Sequence, residues 1–108
     1  MALLLALVGC GGYEPTRLMI VNGLAGYHIE YVFISAPDRE DWGRNALPPH
    51  LVPLVPGDSV GIAVLPGTYD LMIMDEDGDT YTRWEVLVDE TGYTWNAALS
   101  DIDSSGGG

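Results

Sequence analysis

The chain has 108 residues, a single cysteine, and sixteen acidic residues against four basic ones, which gives a formal net charge of −12. A chain of this length forms one small domain, and a single cysteine excludes an internal disulfide. The negative charge repels nucleic acid and anionic headgroups, so we exclude nucleic-acid binding as a function.

The chain starts with a short apolar segment. Residues 1–8 contain only apolar side chains, as in the hydrophobic part of a secretory signal segment, and are far fewer than the ~20 that span a bilayer. No Lys or Arg precedes Arg17, so we interpret the start of the segment as truncated. The alternative is a buried strand with an inert core cysteine, which Gly11 and Gly12 disfavour because they would end such a strand.

The apolar segment closes on a short motif that contains the only cysteine, Leu7-Val8-Gly9-Cys10. This motif resembles the lipobox of bacterial lipoproteins. The resemblance implies that residues 1–9 are cleaved, that Cys10 carries a diacylglycerol thioether, and that residues 10–16 form the anchor and tether. Two or more acyl chains hold a protein stably on a membrane. The resemblance therefore implies a place in the cell envelope. The residue after the cysteine is Gly11 and not the Asp that is associated with inner-membrane retention in enteric lipoproteins, and this favours the outer membrane if the host has one.

The rest of the chain has the pattern of an all-β domain, because apolar alternation and turn dipeptides recur from Arg17 onward without helical periodicity. We predict a small antiparallel β-sandwich of six to seven strands over residues 17–100, prealbumin-like or Ig-like. A flexible acidic and Ser/Gly-rich tail is expected over residues 101–108. The predicted strands are 17–22, 27–35, 58–65, 68–75, 80–88 and 93–100, with the Pro-broken segment 51–55 as a further edge strand.

Two turn dipeptides predict a three-stranded meander over residues 58–88. Pro66-Gly67 as a tight turn places Val64 opposite Tyr69. A slip of one residue would reverse every side chain, so the register can be tested on the apolar pattern. The expected inner face of the central strand consists of Tyr69, Leu71 and Ile73.

The second hairpin of this meander has Asp77-Gly78 at its centre, a strong signal for a two-residue type I′ turn. That turn places Leu71 opposite Trp84. A three-residue loop at 76–78 would instead place Leu71 opposite Arg83, and we reject it for that reason.

Two further strands have apolar residues at alternate positions, which places these residues on one face of each strand. In the second strand these are Tyr27, Ile29, Tyr31 and Phe33, while Val32 and Ile34 on the other face suggest burial on both sides near its end. In the last strand they are Tyr93, Trp95, Ala97 and Leu99.

A second resemblance covers more than half of the chain, from Val21 to Tyr81. Its pieces, in order, are Val21-Asn22, Tyr31 to Ser35, Trp42-Gly43-Arg44-Asn45, Val55 to Ser59, Pro66 to Leu71, and Asp75 to Tyr81. They are similar to a set of small uncharacterised bacterial lipoproteins and secreted proteins, a family that implies no particular activity. The Pro66 to Leu71 piece is also similar to turns in prealbumin-like and carboxypeptidase-regulatory-like sandwich modules, which implies a binding or spacer domain.

One candidate site is the acidic hairpin tip, where Asp75, Glu76, Asp77 and Asp79 lie within five positions. Ca²⁺ takes six to eight oxygen ligands, and Asp75, Asp77 and Asp79 are its possible ligands here. An EF-hand is excluded, since it needs Gly at its sixth position and Glu at its twelfth. The simpler interpretation is a solvated turn. On that interpretation the three aspartates tolerate Asn within about 0.5 kcal/mol.

The other candidate site is the long connection 36–57, because loops of this length are often functional. It contains Trp42, with Arg39 and Arg44 close by in sequence. An exposed Trp flanked by charges can stack on a sugar or anchor a protein partner. The simpler interpretation, which we weight more heavily, is that Trp42 folds back and caps one end of the sandwich.

No catalytic residues are predicted, because the chain has no nucleophile elbow, HExxH motif or phosphate-binding Gly-rich loop. No cofactor is expected apart from the possible Ca²⁺. The sequence therefore favours a lipid-anchored cell-envelope module that is not an enzyme. Its expected role is structural or binding, with an envelope protein or a glycan as partner. A Ca²⁺-dependent binding module that uses the hairpin 75–79 is the alternative.

Overall fold

The computed structural model describes residues 14–103, which form two packed three-stranded sheets. The strands are β1 (Thr16–Gly23), β2 (Ile29–Ser35), β3 (Ser59–Val64), β4 (Gly67–Asp75), β5 (Thr80–Val88) and β6 (Tyr93–Ala98), and two 3-10 turns span Pro49–Leu51 and Leu99–Asp101. The predicted small β-sandwich is confirmed. Each strand begins and ends within two residues of its predicted bounds.

The first sheet has the order β3-β1-β6, with β1 at its centre. β1 runs antiparallel to β3, so that Ile20 lies opposite Val60, and parallel to β6, so that Ile20 also lies opposite Trp95. The expectation of a purely antiparallel sandwich is wrong for this last pair. Parallel neighbours need a long crossover connection, and here the whole second sheet lies between β1 and β6 in the sequence.

The second sheet has the order β2-β4-β5 and is antiparallel throughout. Its inner face packs on the first sheet, and a cluster of buried apolar side chains forms the core. Trp95 and Tyr81 are the largest fully buried side chains. The other core residues are Leu18, Ile20, Leu24, Ile29, Val32, Leu47, Leu54, Val60, Leu71, Ile73, Val86, Val88 and Ala97.

One polar side chain, Asn22, is buried within this core and has all its hydrogen bonds satisfied. Its amide nitrogen donates to the carbonyls of Tyr27 and Leu54 at 2.9 and 2.8 Å, and its oxygen accepts the N–H of Leu24 at 2.8 Å. A buried amide without partners costs about 1–3 kcal/mol. Asn22 therefore fixes the path of the chain between the two sheets.

The predicted meander is wrong at its first turn. β3 pairs with β1, and β4 pairs with β2 and β5, so the chain passes from one sheet to the other at Leu65-Pro66. The Tyr69 hydroxyl donates to the Leu65 carbonyl at 2.6 Å and fastens this corner. A Pro-Gly dipeptide fixes backbone angles but not the pairing partner of the strands on either side, so the sequence pattern fits both connections.

The second hairpin is correctly placed, but its register near the turn is the one that we rejected. Leu71 lies opposite Arg83, and the loop has three residues, with Gly78 in the left-handed conformation at φ 85°. This loop type, a type I turn followed by a left-handed residue, is a common alternative to the two-residue turn. The carboxylate of Asp75 selects it, because it accepts the N–H groups of Asp77 and Asp79.

A β-bulge in β5 restores the predicted register farther from the turn, where Tyr69 does lie opposite Val86. Glu85 occupies the bulge in the left-handed conformation at φ 54°, and its N–H donates to the side chain of Asp70 at 2.8 Å. Because of the extra residue, Val86 faces the core while Trp84 faces outward. The predicted inner position of Trp84 is therefore wrong.

We expect Glu85→Val to lower the free energy of unfolding by about 1–2 kcal/mol, since left-handed backbone is costly for side chains and most of all for β-branched ones. Glu85→Gly carries no such cost, so the glycine variant should be more stable than the valine variant by at least that amount. Urea denaturation of the two variants measures the difference. Equal midpoints would contradict a left-handed bulge at this position.

A second bulge, in β2, reverses two more predicted side chains. The register shifts between Ile29 and Tyr31, so Ile29 is buried in the core while Tyr31 and Phe33 lie on the outer face of the sheet. The prediction placed all three on one face, and this is wrong for the two aromatic residues. In β6, Trp95 and Ala97 share one face as predicted, and both are buried.

The Pro-broken segment 51–55 and the start of the predicted tail each form a bridge to a strand of the second sheet. Segment 51–55 forms a single bridge, between Leu54 and Ile29, rather than an edge strand. The packed domain continues to Asp103, past the predicted start of the flexible tail at residue 101, because Ile102 bridges to Tyr81. Residues 104–108 lie outside the described part of the chain.

Candidate functional site

The predicted lipid-attachment residue, Cys10, and the segment around it lie outside the described residues, so lipid attachment stays a prediction. Across residues 14–103, none of the helical segments is long and apolar enough to cross a membrane.

The connection 36–57 is held along the free edge of β2. The Asn45 side-chain oxygen accepts the N–H groups of Val32 and Leu47 at 2.8 and 3.0 Å, and the Ala46 N–H donates to the Val32 carbonyl. Leu47 is buried in the core. The connection is therefore built into the sandwich at its middle, and the part before Asn45 crosses the outer face of the second sheet.

This crossing brings Trp42 onto the outer face of the second sheet, not onto one end of the sandwich. The ring centroid of Trp42 lies 6.5 Å from that of Phe33 and 5.7 Å from that of Trp84. The Ser35 hydroxyl donates to the Asp41 carbonyl at 3.2 Å and fixes the backbone beside Trp42. Trp42 does fold back onto the domain and is half-buried, but its packing partners are two outward-facing aromatic rings and not groups at one end of the sandwich.

Four aromatic side chains form one continuous surface here, which we call the aromatic platform: Tyr31, Phe33, Trp42 and Trp84. Tyr31 and Phe33 are stacked, with centroids 5.9 Å apart and planes inclined by 5°. Trp84 is 67% exposed and Tyr31 is 42% exposed. Single exposed apolar residues are normal on protein surfaces, whereas a contiguous group of large ones indicates an interaction site.

Two methionines of β4, the central strand of this sheet, extend the apolar character of the platform. In the sheet register Met72 lies between Phe33 and Thr82, and Met74 lies between Tyr31 and Thr80. Methionine is flexible and polarizable, and adapts to different partners. Leu87, on the same strand face beyond the bulge, is 66% exposed. The outer face of this sheet therefore carries apolar side chains on all three strands, next to the threonines Thr80 and Thr82 of β5.

The two predicted arginines lie in the same loop as Trp42. Arg39 forms an exposed ion pair with Asp41, at 3.2 Å between nitrogen and oxygen, and such a pair contributes little to stability. Arg44 is exposed, and no ion pair within residues 14–103 includes it. The structure thus brings both arginines to the loop that carries Trp42, without placing either on an aromatic ring.

The predicted calcium ligands do not form one cluster at the hairpin tip. Asp75 is only 2% exposed, and both its oxygens are used within the fold. One oxygen accepts the N–H groups of Asp77 and Asp79 at 2.9 and 3.0 Å, and the other accepts the Tyr81 hydroxyl at 2.8 Å. Within residues 14–103, no group of three or more His, Cys, Asp or Glu side chains could hold a metal ion.

The buried end of this hairpin depends on the neutral form of Tyr81. Burial, together with the hydrogen bond to the Asp75 carboxylate, raises the pKa of the Tyr81 phenol far above its usual value. The expectation that all three aspartates are exposed positions is therefore wrong for Asp75. The same expectation is correct for Asp77 and Asp79, which are exposed.

We expect thermal melting of the protein to be the same in Ca²⁺ and in EDTA, because the Asp75 carboxylate is committed to the turn. The double change Asp77→Asn and Asp79→Asn should shift the free energy of unfolding by less than about 0.5 kcal/mol in either buffer. Melting followed by circular dichroism measures both. A rise of several degrees in Ca²⁺ that this variant abolishes would instead support the calcium-dependent alternative, since ligands stabilise the state that binds them.

Sequence reasoning found Trp42 but missed the other members of the platform. It grouped Tyr31 and Phe33 with Ile29, and Trp84 with Leu71, because it counted strict alternation through two bulges. One signal of the bulge in β5 is present in the sequence. Tyr81, Val86 and Val88 cannot share a strand face by alternation alone, since the first two are an odd number of residues apart.

Comparison of the chain with protein-family models, with curated proteins and with solved structures finds no match in any of the three.

Proposed function

We propose that this protein is a lipid-anchored cell-envelope module with a non-catalytic binding role, and that the aromatic platform is its binding face. The observation that carries the proposal is Trp84, a large aromatic side chain that is two-thirds exposed and packs on Trp42, which in turn packs on Phe33. Tryptophan and tyrosine are enriched among the residues that dominate binding energy at interfaces.

The position of the platform supports a binding role over a role in stability. A sandwich buries the inner faces of its sheets and leaves the outer faces to water. Aromatic residues on the outer face of the second sheet add little to the core, and their exposure favours aggregation. A partner that covers them offsets that cost.

The loop of Trp42 gives this face its polar margin. Arg39, Asp41 and Arg44 are exposed in it, and interfaces typically combine an aromatic centre with a polar rim. The partner we propose is an envelope protein or a surface glycan. Nucleic acid is not proposed as a partner, because the net charge of −12 opposes it.

The proposed anchor is a diacylglycerol on Cys10, in a lipobox-like motif that precedes the described domain by only a few residues. This position would keep the domain at the membrane surface, in the outer membrane if the host has one. A non-catalytic role is proposed because the sequence offers no nucleophile with an adjacent base.

We expect the full chain to fractionate with membranes and to incorporate labelled palmitate when it is expressed in a bacterial host. Two lysines added after Met1 supply the charged start that signal segments carry. Cys10→Ser should release the protein to the soluble fraction and abolish the label, while thermal melting of the domain stays unchanged.

If the protein is soluble both with Cys10 and with Ser at this position, the proposed anchor is wrong. A membrane-bound Cys10→Ser variant without the palmitate label would also contradict it, because the attachment would then not depend on the lipid.

A further inference from the structure

We infer that the partner of the aromatic platform is a basic segment of a protein, whose Lys or Arg side chains lie over the aromatic rings. This inference rests on the proposed binding function and names the class of partner. It combines two observations on the same sheet face, namely exposed aromatic rings and carboxylates held beside them.

The exposed rings provide the first half of a cation-binding surface. A guanidinium or ammonium group within about 6 Å of an aromatic centroid is attracted by the ring, and tryptophan is the best acceptor. Within residues 14–103 the protein itself makes such a contact, where the Arg83 guanidinium carbon lies 5.2 Å from the centroid of the Trp95 ring. On the platform, the face of Trp84 is open to a partner in the same way.

The carboxylates provide the second half. Asp103 is held on the outer face of β5, where one of its oxygens accepts the hydroxyls of Thr80 and Thr82 at 2.7 and 2.6 Å. Thr82 is two residues from Trp84 and therefore on the same strand face. Glu85 follows Trp84 directly and is exposed. Asp103 is therefore bound on the strand face that carries Trp84, and Glu85 is the residue next to Trp84 in the chain.

The loop adds a third carboxylate next to Trp42. The side chain of Asp41 is 73% exposed and pairs with Arg39, while Arg44, the cation closest to Trp42 in sequence, is also exposed. The margin of the platform thus carries carboxylates as well as these two arginines, and Lys and Arg of a partner would meet both ring faces and carboxylates. Pairing of this kind gives orientation and association rate as well as affinity.

Charge also argues against the other occupants of such a face. A second copy of this chain brings another −12 to the interface, and anionic headgroups are repelled for the same reason. A neutral glycan is not repelled, but it leaves the carboxylates beside Trp84 without ionic partners. A basic protein segment satisfies the rings and the carboxylates together.

The test is the binding of a dye-labelled decapeptide of alternating Arg and Gly to the full chain in mild detergent, followed by fluorescence anisotropy. The matched probes are the same peptide with Glu in place of Arg and a neutral glucan hexasaccharide. The variants are Trp84→Ala and Glu85→Gln. Their controls are Leu65→Ala, an exposed apolar residue at the corner between the sheets, and Glu90→Gln, an exposed acid in the β5–β6 turn.

We expect the Arg peptide to bind and the Glu peptide not to bind. Trp84→Ala should weaken binding by at least about tenfold, as for interface tryptophans in general, and Glu85→Gln by a few fold. Both control variants should bind as the unchanged protein does. Added salt should weaken the interaction of the unchanged protein. Circular dichroism checks that Trp84→Ala is folded, which its exposure predicts.

Equal binding of the Arg peptide to Trp84→Ala would overturn the inference, because the attraction would then be a general one to an acidic protein. Binding of the hexasaccharide that Trp84→Ala abolishes would overturn the basic partner and leave the proposed binding function intact. Failure of every probe would overturn the inference, whereas the proposed anchoring is judged separately by the Cys10→Ser experiment.

Discussion

Replacing Asp75 with alanine is expected to lower the free energy of unfolding by about 3 kcal/mol. The change leaves the buried Tyr81 hydroxyl without an acceptor, at a cost of about 1–3 kcal/mol, and removes two hydrogen bonds from the turn, each worth about 1 kcal/mol. The N–H groups of Asp77 and Asp79 are close to solvent and recover part of their loss. Urea denaturation measures the change, and Asp77→Ala, in the same turn, is the control with little expected effect.

A double-mutant cycle separates the two roles of Asp75. Tyr81→Phe alone should cost about 1 kcal/mol, the net contribution of one buried hydrogen bond. In the Asp75→Ala background, Tyr81→Phe should be neutral or stabilising, since it removes the unpartnered hydroxyl. Additive effects of the two changes would mean that the hydroxyl and the carboxylate do not interact, contrary to their distance of 2.8 Å.

Replacing Asp101 with alanine is expected to cost about 2–3 kcal/mol, although this residue lies just after the last strand. One carboxylate oxygen accepts the Trp95 indole N–H at 3.2 Å and the Ala98 N–H at 3.0 Å, and the other meets Arg83 at 3.5 Å. Without Asp101 the indole N–H of the largest core residue loses its acceptor. Thermal or urea denaturation measures the loss, and Ser100→Ala is the adjacent control.

The stability that Asp101 contributes should depend on pH. Burial on its own would raise the pKa of the Asp101 carboxyl, but the hydrogen bonds from Ala98 and Trp95 and the charge of Arg83 outweigh it, so the pKa is lowered from 3.8. A carboxyl with a lowered pKa in the folded state stabilises the fold above its unfolded pKa. This contribution is lost as pH falls below about 4. The difference in stability between the protein and Asp101→Asn should therefore shrink from pH 6 to pH 2.

A difference that stays constant over this range would contradict the charge-dependent part of the contribution. The Asn variant keeps an oxygen for the indole N–H, so it should be more stable than the Ala variant at neutral pH.

The sequence predicted the strands well and their partners poorly. Apolar alternation and turn dipeptides are local properties, and they located all six strands of the described region. Pairing depends on contacts between distant segments. Nothing near Pro66-Gly67 distinguishes a hairpin from a corner between two sheets, and the pairing of β1 with β6 joins residues more than seventy positions apart.

The candidate site was predicted only in part for a related reason. Trp42 stands out as a tryptophan among charges in a long loop. Trp84 does not, because its outward position depends on a bulge at Glu85 that needs the Asp70 side chain as its acceptor. Two bulges, each one residue long, are enough to move three aromatic rings away from the buried residues with which strict alternation groups them.

The parallel pairing of β1 with β6 has a consequence for a protein tethered at its N-terminal end. Parallel strands start at the same end of a sheet, so the domain begins at Thr16 near one edge of the molecule, and Ala98 lies level with Gly23 at the other edge. Eight extended residues span about 25 Å. If Cys10 is lipidated, the end of β6 at Ala98 lies that far along the sheet from the tethered start of the domain. The first sheet would then act as a rigid spacer between the anchored end of β1 and the far end of β6.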